Sequence, residues 1–343
     1  MINLKYFVMI LRNINFDNHD RELFKLNISQ NIGWNTYYEQ YKNALCFLSM
    51  CSCNISIRVM SFLFIFRHTV ELFLKNKIKS VELTHSLVEL YNKSEGLPFD
   101  FLLQLNLLKC DSDGADFRYA TDKRGYHYFN GEVLNLFEPF NFFINLIGAN
   151  INVENKPKGK FEIHTHPYKI GQLSTDYDTS MCFIYEGVMQ KRISINDIYL
   201  PFLFIIRHSI ELSLKYNLIE VIGYIKDNNI KSIMNEHSLS FLFNQLNEVI
   251  NIALQNLDKE KNEAFLNFRE ETKKYHNDLR ELQQIVHNID YNSYCFRFPI
   301  DKNGNLYKIN LDSRKLNELL RLRFKLDAYL SCATPVLQEY GYW

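Results

Sequence analysis

Two matching segments hold the residues best suited to chemistry: S-F-L-F-I-F-R-H-T-V-E-L-F-L-K at 61–75 and P-F-L-F-I-I-R-H-S-I-E-L-S-L-K at 201–215. In each, an arginine, a glutamate and a lysine recur every fourth residue: Arg67, Glu71 and Lys75, then Arg207, Glu211 and Lys215. On a helix that spacing puts all three on one stripe, with His68 and His208 about a quarter turn away. A histidine beside a carboxylate and two cations is the raw material for proton transfer or for holding an anion. Arginine four residues before glutamate is the less favourable order for an intrahelical pair, so helix stabilisation alone is a poor reason for it. The other faces are Phe, Leu and Ile, so the helix is expected to be buried, and buried charges require partners. His85, His237, Arg118 and Arg297 are candidates to complete each cluster, with Arg118 or Arg297 offering a counter-charge to a glutamate. Two readings fit: a satisfied ionic network that fixes helix packing, or a cleft for phosphate, nucleobase or acid/base chemistry.

The same self-similarity extends along the chain. His85-Ser86-Leu87 recurs as His237-Ser238-Leu239, and F-R-Y-A-T-D-K-R-G at 117–125 as F-R-F-P-I-D-K-N-G at 296–304. A fainter upstream match pairs 24–33 with 161–171. Blocks repeated in one order imply a duplication. The separation grows from block to block, so the second copy gains residues, mostly as longer helices. We expect an N-terminal segment at 1–20, a first helical copy at 20–150, a linker at 151–160 where N-V-E-N-K-P-K-G-K breaks the apolar periodicity, and a second copy at 160–343.

The elements that must position these groups are helices. With 12 Gly and 7 Pro among 343 residues, punctuation is less than half the usual share of about 12%, which disfavours turn-rich β folds. The segments 61–77 and 201–216 are apolar nearly all round and read as central buried helices. The segments 238–254, 259–289 and 314–330 carry apolar spacing of period 3.6. The D-K-x-G stretches have turn chemistry, with short extended pieces expected near 117–119 and 306–309. The expected fold is mainly α: two tandem related helical bundles.

Composition narrows the function classes. Hydrophobics at 47% and aromatics at 15% exclude wholesale disorder. The balance of 39 basic and 39 acidic residues leaves no global field to gather nucleic acid, so any such binding needs a local patch. Seven cysteines without a C-x-x-C pair argue against a disulfide framework and a thiolate zinc site, and point to a reducing cytoplasm. The apolar stretch 44–66 is interrupted by Asn54 and Arg58 and reads as buried helix, so no membrane partner is expected. No P-loop, dinucleotide fingerprint or nucleophile elbow occurs, and no cofactor is expected.

Three further patterns bear on chemistry. Arg280 and His287, in R-E-L-Q-Q-I-V-H, are seven apart on a helix and face the same way, with His276 on that side. Arg314, Arg321 and Lys325 share a helix face that could follow a phosphate backbone, though a solvated face explains it too. In I-H-T-H-P-Y-K-I-G-Q-L-S-T-D-Y-D at 163–178, His164, His166 and Asp178 resemble the zinc signature of JAMM metallo-isopeptidases, with Asp176 as the alternative acid and Glu132 or Glu138 as general base. The spacing departs from that family, because Tyr177 stands where its aspartate should.

The R-H-x-x-E-L-x-L-K helix, H-S-L, and F-R-Y or F-R-F with D-K-x-G together resemble tandem, uncharacterised, defence-associated bacterial helical proteins related to the HEPN superfamily. The resemblance covers most of both copies. It implies a protein of an antiphage or toxin-type system, with RNA and a partner protein of that system as candidate partners and a homodimer as a candidate assembly. Many members are ribonucleases using Arg and His, on an R-x(4-6)-H helix at a dimer interface; others are non-catalytic helical modules. The implied reaction is metal-independent RNA cleavage, with one group deprotonating a ribose 2′-hydroxyl and arginine stabilising the phosphorane. If the protein is catalytic, Arg207, His208, Glu211 and His237 with Arg297 are the expected sites. Arg67, His68, Glu71 and His85 are their first-copy equivalents, and Arg280 and His287 are the literal motif match. The competing class is a non-catalytic interaction scaffold in which the charged clusters lock helices together.

Overall fold

A computed structural model describes residues 19–28, 32–49, 59–78, 83–107, 114–122, 124–129, 136–149, 169–221, 230–257, 263–289, 294–309, 311–327 and 329–330. Among them the chain is mainly helical: α1 (Trp34–Ser49), α2 (Val59–Ile78), α3 (Leu87–Lys93), α4 (Phe99–Leu107), α5 (Phe137–Leu146), α6 (Ile170–Met189), α7 (Tyr199–Glu220), α8 (Ile230–Asn235), α9 (Leu239–Leu257), α10 (Glu263–Ile289) and α11 (Ser313–Lys325). Short 3-10 turns cover Arg21–Phe24 and Ile195–Asp197. No described helix is long and apolar enough to cross a membrane.

The chain divides into two compact units, Met1–Ile206 with Tyr294–Ile309, and Arg207–Ser293 with Asn310–Trp343. The expected linker at 151–160 lies outside the described residues. The first unit includes the segment Tyr294–Ile309. The Tyr37 hydroxyl donates to the Cys295 carbonyl, and the Tyr41 hydroxyl to that of Phe296 at 3.1 Å.

In the first unit α2 is the hub, packing against α1, α3 and α6. Residues of the matching sequence blocks make matching contacts here, and each contact joins one block to its counterpart's neighbourhood. Tyr41 on α1 donates to the Phe296 carbonyl, while Tyr177 on α6 donates to that of Phe117, both at 3.1 Å. At the start of α2, the Met60 amide donates to Asp176 on α6 (3.0 Å); at the start of α7, the Leu200 amide donates to Gln40 on α1 (2.8 Å). These bonds satisfy amides that a helix start otherwise leaves open. Phe64 stacks on Phe204 at 4.5 Å and Phe47 on Phe183 at 4.9 Å, in each case one residue on its counterpart. Tyr41 and Tyr177 open a further matching block, Y-K-N-A-L-C-F at 41–47 and Y-D-T-S-M-C-F at 177–183, which the sequence reading passed over.

The D-K-x-G segments are turns. Asp122 Oδ1 accepts from the amides of Arg124 and Tyr126, and Asp301 Oδ1 from those of Asn303 and Asn305. Gly125 and Gly304 close them at φ +91° and +83°, which glycine adopts without strain. Extended pairing is one bridge in each, Thr121 with His127 and Ile300 with Leu306. Residues 117–119, expected to be extended, form a turn instead, because the amides of Arg118 and Tyr119 both donate to the Ala115 carbonyl.

In the second unit α9, α10 and α11 pack in sequence. His276, Leu279, Leu282 and Val286 form the buried face of α10, and Asp312 caps α11 by accepting from the Lys315 amide at 2.8 Å.

Candidate functional site

Each central helix carries its charged stripe inward. Arg67, Glu71 and Lys75 are at most 2% exposed, as are Arg207, Glu211 and Lys215. Both stripes close on themselves in the same way. In the second unit Arg207 donates to Glu211 Oε2 at 2.8 Å and to the His237 carbonyl at 2.9 Å, while Lys215 donates to Glu211 Oε1 and to the Met234 carbonyl, both at 2.9 Å. In the first unit Arg67 bonds Glu71 and the His85 carbonyl, and Lys75 lies 2.8 Å from Glu71 Oε1. The ring Nδ1 of His85 is 2.9 Å from Glu71 Oε1, and that of His237 is 3.0 Å from Glu211 Oε1.

The H-S-L block now has a role for each residue. The histidine gives its carbonyl to the arginine and its ring to the glutamate. Ser86 and Ser238 cap the next helix, accepting from the Glu89 amide (3.3 Å) and the Phe241 amide (3.2 Å). Leu87 and Leu239 are buried beneath. The histidine side chains are the members of each cluster that reach solvent, 37% exposed at His85 and 47% at His237.

The electrostatics follow from this packing. Burial alone would raise the Glu71 carboxyl, but Lys75 and Arg67, joined by His68 and His85, hold it well below the usual carboxylate range. Glu211 is held low in the same way, with Lys215, His237 and Arg207 outweighing its burial. Burial lowers Lys215, opposed by Glu211. His68 is pushed down to about 4 by burial, against the pull of Glu71. It is boxed by the rings of Tyr41, Phe298 and Phe64 at 4.7, 4.9 and 5.3 Å. Its Nε2 lies 3.0 Å from the Arg297 carbonyl, which assigns the proton to Nε2. A neutral, enclosed imidazole of this kind is a packing group.

Arg118 and Arg297 do not supply the glutamates' counter-charge, which comes from Arg and Lys on the same helix. Arg118 Nε donates to the Gly114 carbonyl at 2.6 Å, and its guanidinium lies 5.9 Å from the Phe64 ring. Arg297 lies at the same 5.9 Å from the Phe204 ring, lowered by burial and then by Arg118.

The other patterns are dispersed. Arg280 is exposed, whereas His287 is half-buried with Nδ1 3.4 Å from Ser240 Oγ, which also accepts from Gln283 at 2.7 Å. His276 is buried and lowered by that burial and by Arg280. His164, His166 and Glu132 lie outside the described residues. Asp178 is buried in α6, Asp176 is taken up by the Met60 amide, and Glu138 is exposed. Among the described residues no group of His, Cys, Asp and Glu could hold a metal ion. On α11, Arg314 is exposed, but Arg321 pairs with Glu318 through two nitrogens, and buried Arg323 donates to Asp327 (2.8 Å) and Ser209 (2.9 Å).

No protein-family model, curated protein or solved structure matches the chain.

Proposed function

We propose that the chain is a non-catalytic helical scaffold, built from two copies of one helical unit, whose twin Arg-Glu-Lys-His networks fix helix positions. One observation carries this reading: both oxygens of Glu71 and both of Glu211 are engaged by buried cations and a histidine within the protein. A carboxylate that itself acts as acid, base or nucleophile must reach its substrate, and these two reach only groups of their own fold. Cys46, Cys182 and Cys295 carry free thiols, in keeping with a reducing, cytoplasmic setting. A defence-system protein, RNA or a second copy remain the partners that the HEPN resemblance suggests for such a scaffold.

A second reading, metal-independent RNA cleavage, draws on the solvent-reaching His85 and His237, each with Nδ1 against a buried glutamate. A glutamate in that position fixes the ring and leaves Nε2 for proton transfer. Incubating purified full-length protein with total RNA, with and without chelator, separates the two. The scaffold reading predicts intact RNA in both arms. Chelator-resistant cleavage that His237→Ala abolishes, with melting temperature unchanged, would establish the enzyme reading instead.

A further inference from the structure

The first unit contains a cavity of about 590 Å³ that none of the repeated blocks explains. That volume lies inside the usual range for small-molecule sites. One wall is the turn Arg21–Phe24 with Lys25; the other is the end of α6 and the loop that follows it. The floor is α1 at Asn43, Cys46 and Phe47.

The walls are tied together before any ligand arrives. Asn196 accepts from the Asn27 amide at 2.7 Å and donates to the Lys25 carbonyl at 3.0 Å, while Asn43 donates to the Asp197 carbonyl at 3.3 Å.

Two adjacent cations are held at the mouth by unusual means. Lys191 ends α6 at φ +56°, the only non-glycine among the described residues with positive φ. Glycine or asparagine fits that position with less strain. Next to it, Arg192 lies over Phe47 and Phe183 at 5.3 and 5.1 Å, resting on the stacked ring pair. Gly187 makes room for this, since a Cβ there would sit 2.2 Å from the Phe47 ring. The lining carries Lys25, Lys191 and Arg192 against Glu22 and Asp197, an excess of cations, with Lys25 3.7 Å from Glu22 and Glu186 close enough to Arg192 to feel its charge. Burial raises the Cys46 thiol on the floor, opposed by Lys42 and helped to a lesser degree by Glu39.

From this geometry we propose that the cavity binds a small organic anion, its phosphate or carboxylate group on Arg192 and Lys191 and its apolar body against Leu23 and Ile193, the half-buried apolar side chains of the lining. Arginine presents a planar fork to such groups, and lysine a point charge beside it. The inference is independent of the charged networks in the helices.

The test is calorimetric titration of the full chain with phenyl phosphate, benzoate and neutral phenol at low salt. Phenyl phosphate or benzoate should bind saturably and phenol should not. Arg192→Gln should weaken binding at least tenfold with the melting temperature unchanged. Lys191→Gly should weaken binding while raising the melting temperature, because it removes both the cation and the strain. Saturable binding should also slow alkylation of Cys46, followed by peptide mass spectrometry. Absence of saturable binding by both anions, equal binding of phenol, or full affinity in both variants would overturn the proposal.

Discussion

At the scale of the residue, the decisive fact is how many partners one carboxylate has. Glu211 accepts from Arg207, Lys215 and His237 inside a fully buried setting. Removing one partner strands a buried charge, so Arg207→Ala should cost about 3–5 kcal/mol in denaturant unfolding. Acid should attack the same networks. His68 titrates near 4 when folded against about 6.5 when unfolded, so its contribution is complete above 6.5 and is lost as pH falls from there to 4. The depressed Glu71 and Glu211 have the same sign, their contributions being complete above the ordinary glutamate pKa and lost as pH falls below it. The melting temperature should therefore fall steadily between pH 6.5 and 4, and His68→Phe should flatten the upper part of that fall. The stripe was legible in sequence because spacing of four on an apolar helix has few meanings. The partners were not: the carbonyls of His85, His237 and Met234 that take up the cations are backbone atoms, and residue types do not announce them.

At the scale of the element, helix ends and close approaches matter most. Asp176 and Gln40 do the same work at the starts of α2 and α7, one with an acid and one with an amide. Burial holds the Asp176 carboxyl well above its usual range, with the Met60 amide pulling the other way. Asp176→Asn should then be tolerated, with unfolding free energy within about 1 kcal/mol of the parent. Asp176→Ala, which leaves the Met60 amide without its acceptor, should cost about 1–3 kcal/mol. Gly187→Ala should destabilise by a similar amount, since the Phe47 ring has to move out of its stack with Phe183. The long helices followed from periodicity and the near absence of Gly and Pro. Residues 117–119 did not, because F-R-Y has strand-like composition while the turn is set by the Ala115 carbonyl.

At the scale of the whole molecule, repeated sequence and compact unit are different divisions of the chain. The Phe-Arg block at 296–304 is held by Tyr41 and His68, and the block at 117–125 by Tyr177. Sequence comparison could show that the blocks match, but what they pack against is a matter of hydroxyls reaching distant carbonyls. Tyr41→Phe and Tyr177→Phe should each cost about 1 kcal/mol, and hydrogen exchange should show 294–309 protected together with α1 and α2. The central claim is that the twin ionic networks position helices, and it is tested most directly by unfolding Arg207→Ala beside Arg207→Met/Glu211→Leu/Lys215→Met. The account predicts a large loss in the single variant and recovery of most of it in the triple, where apolar side chains refill the space. A single variant as stable as the parent would contradict it.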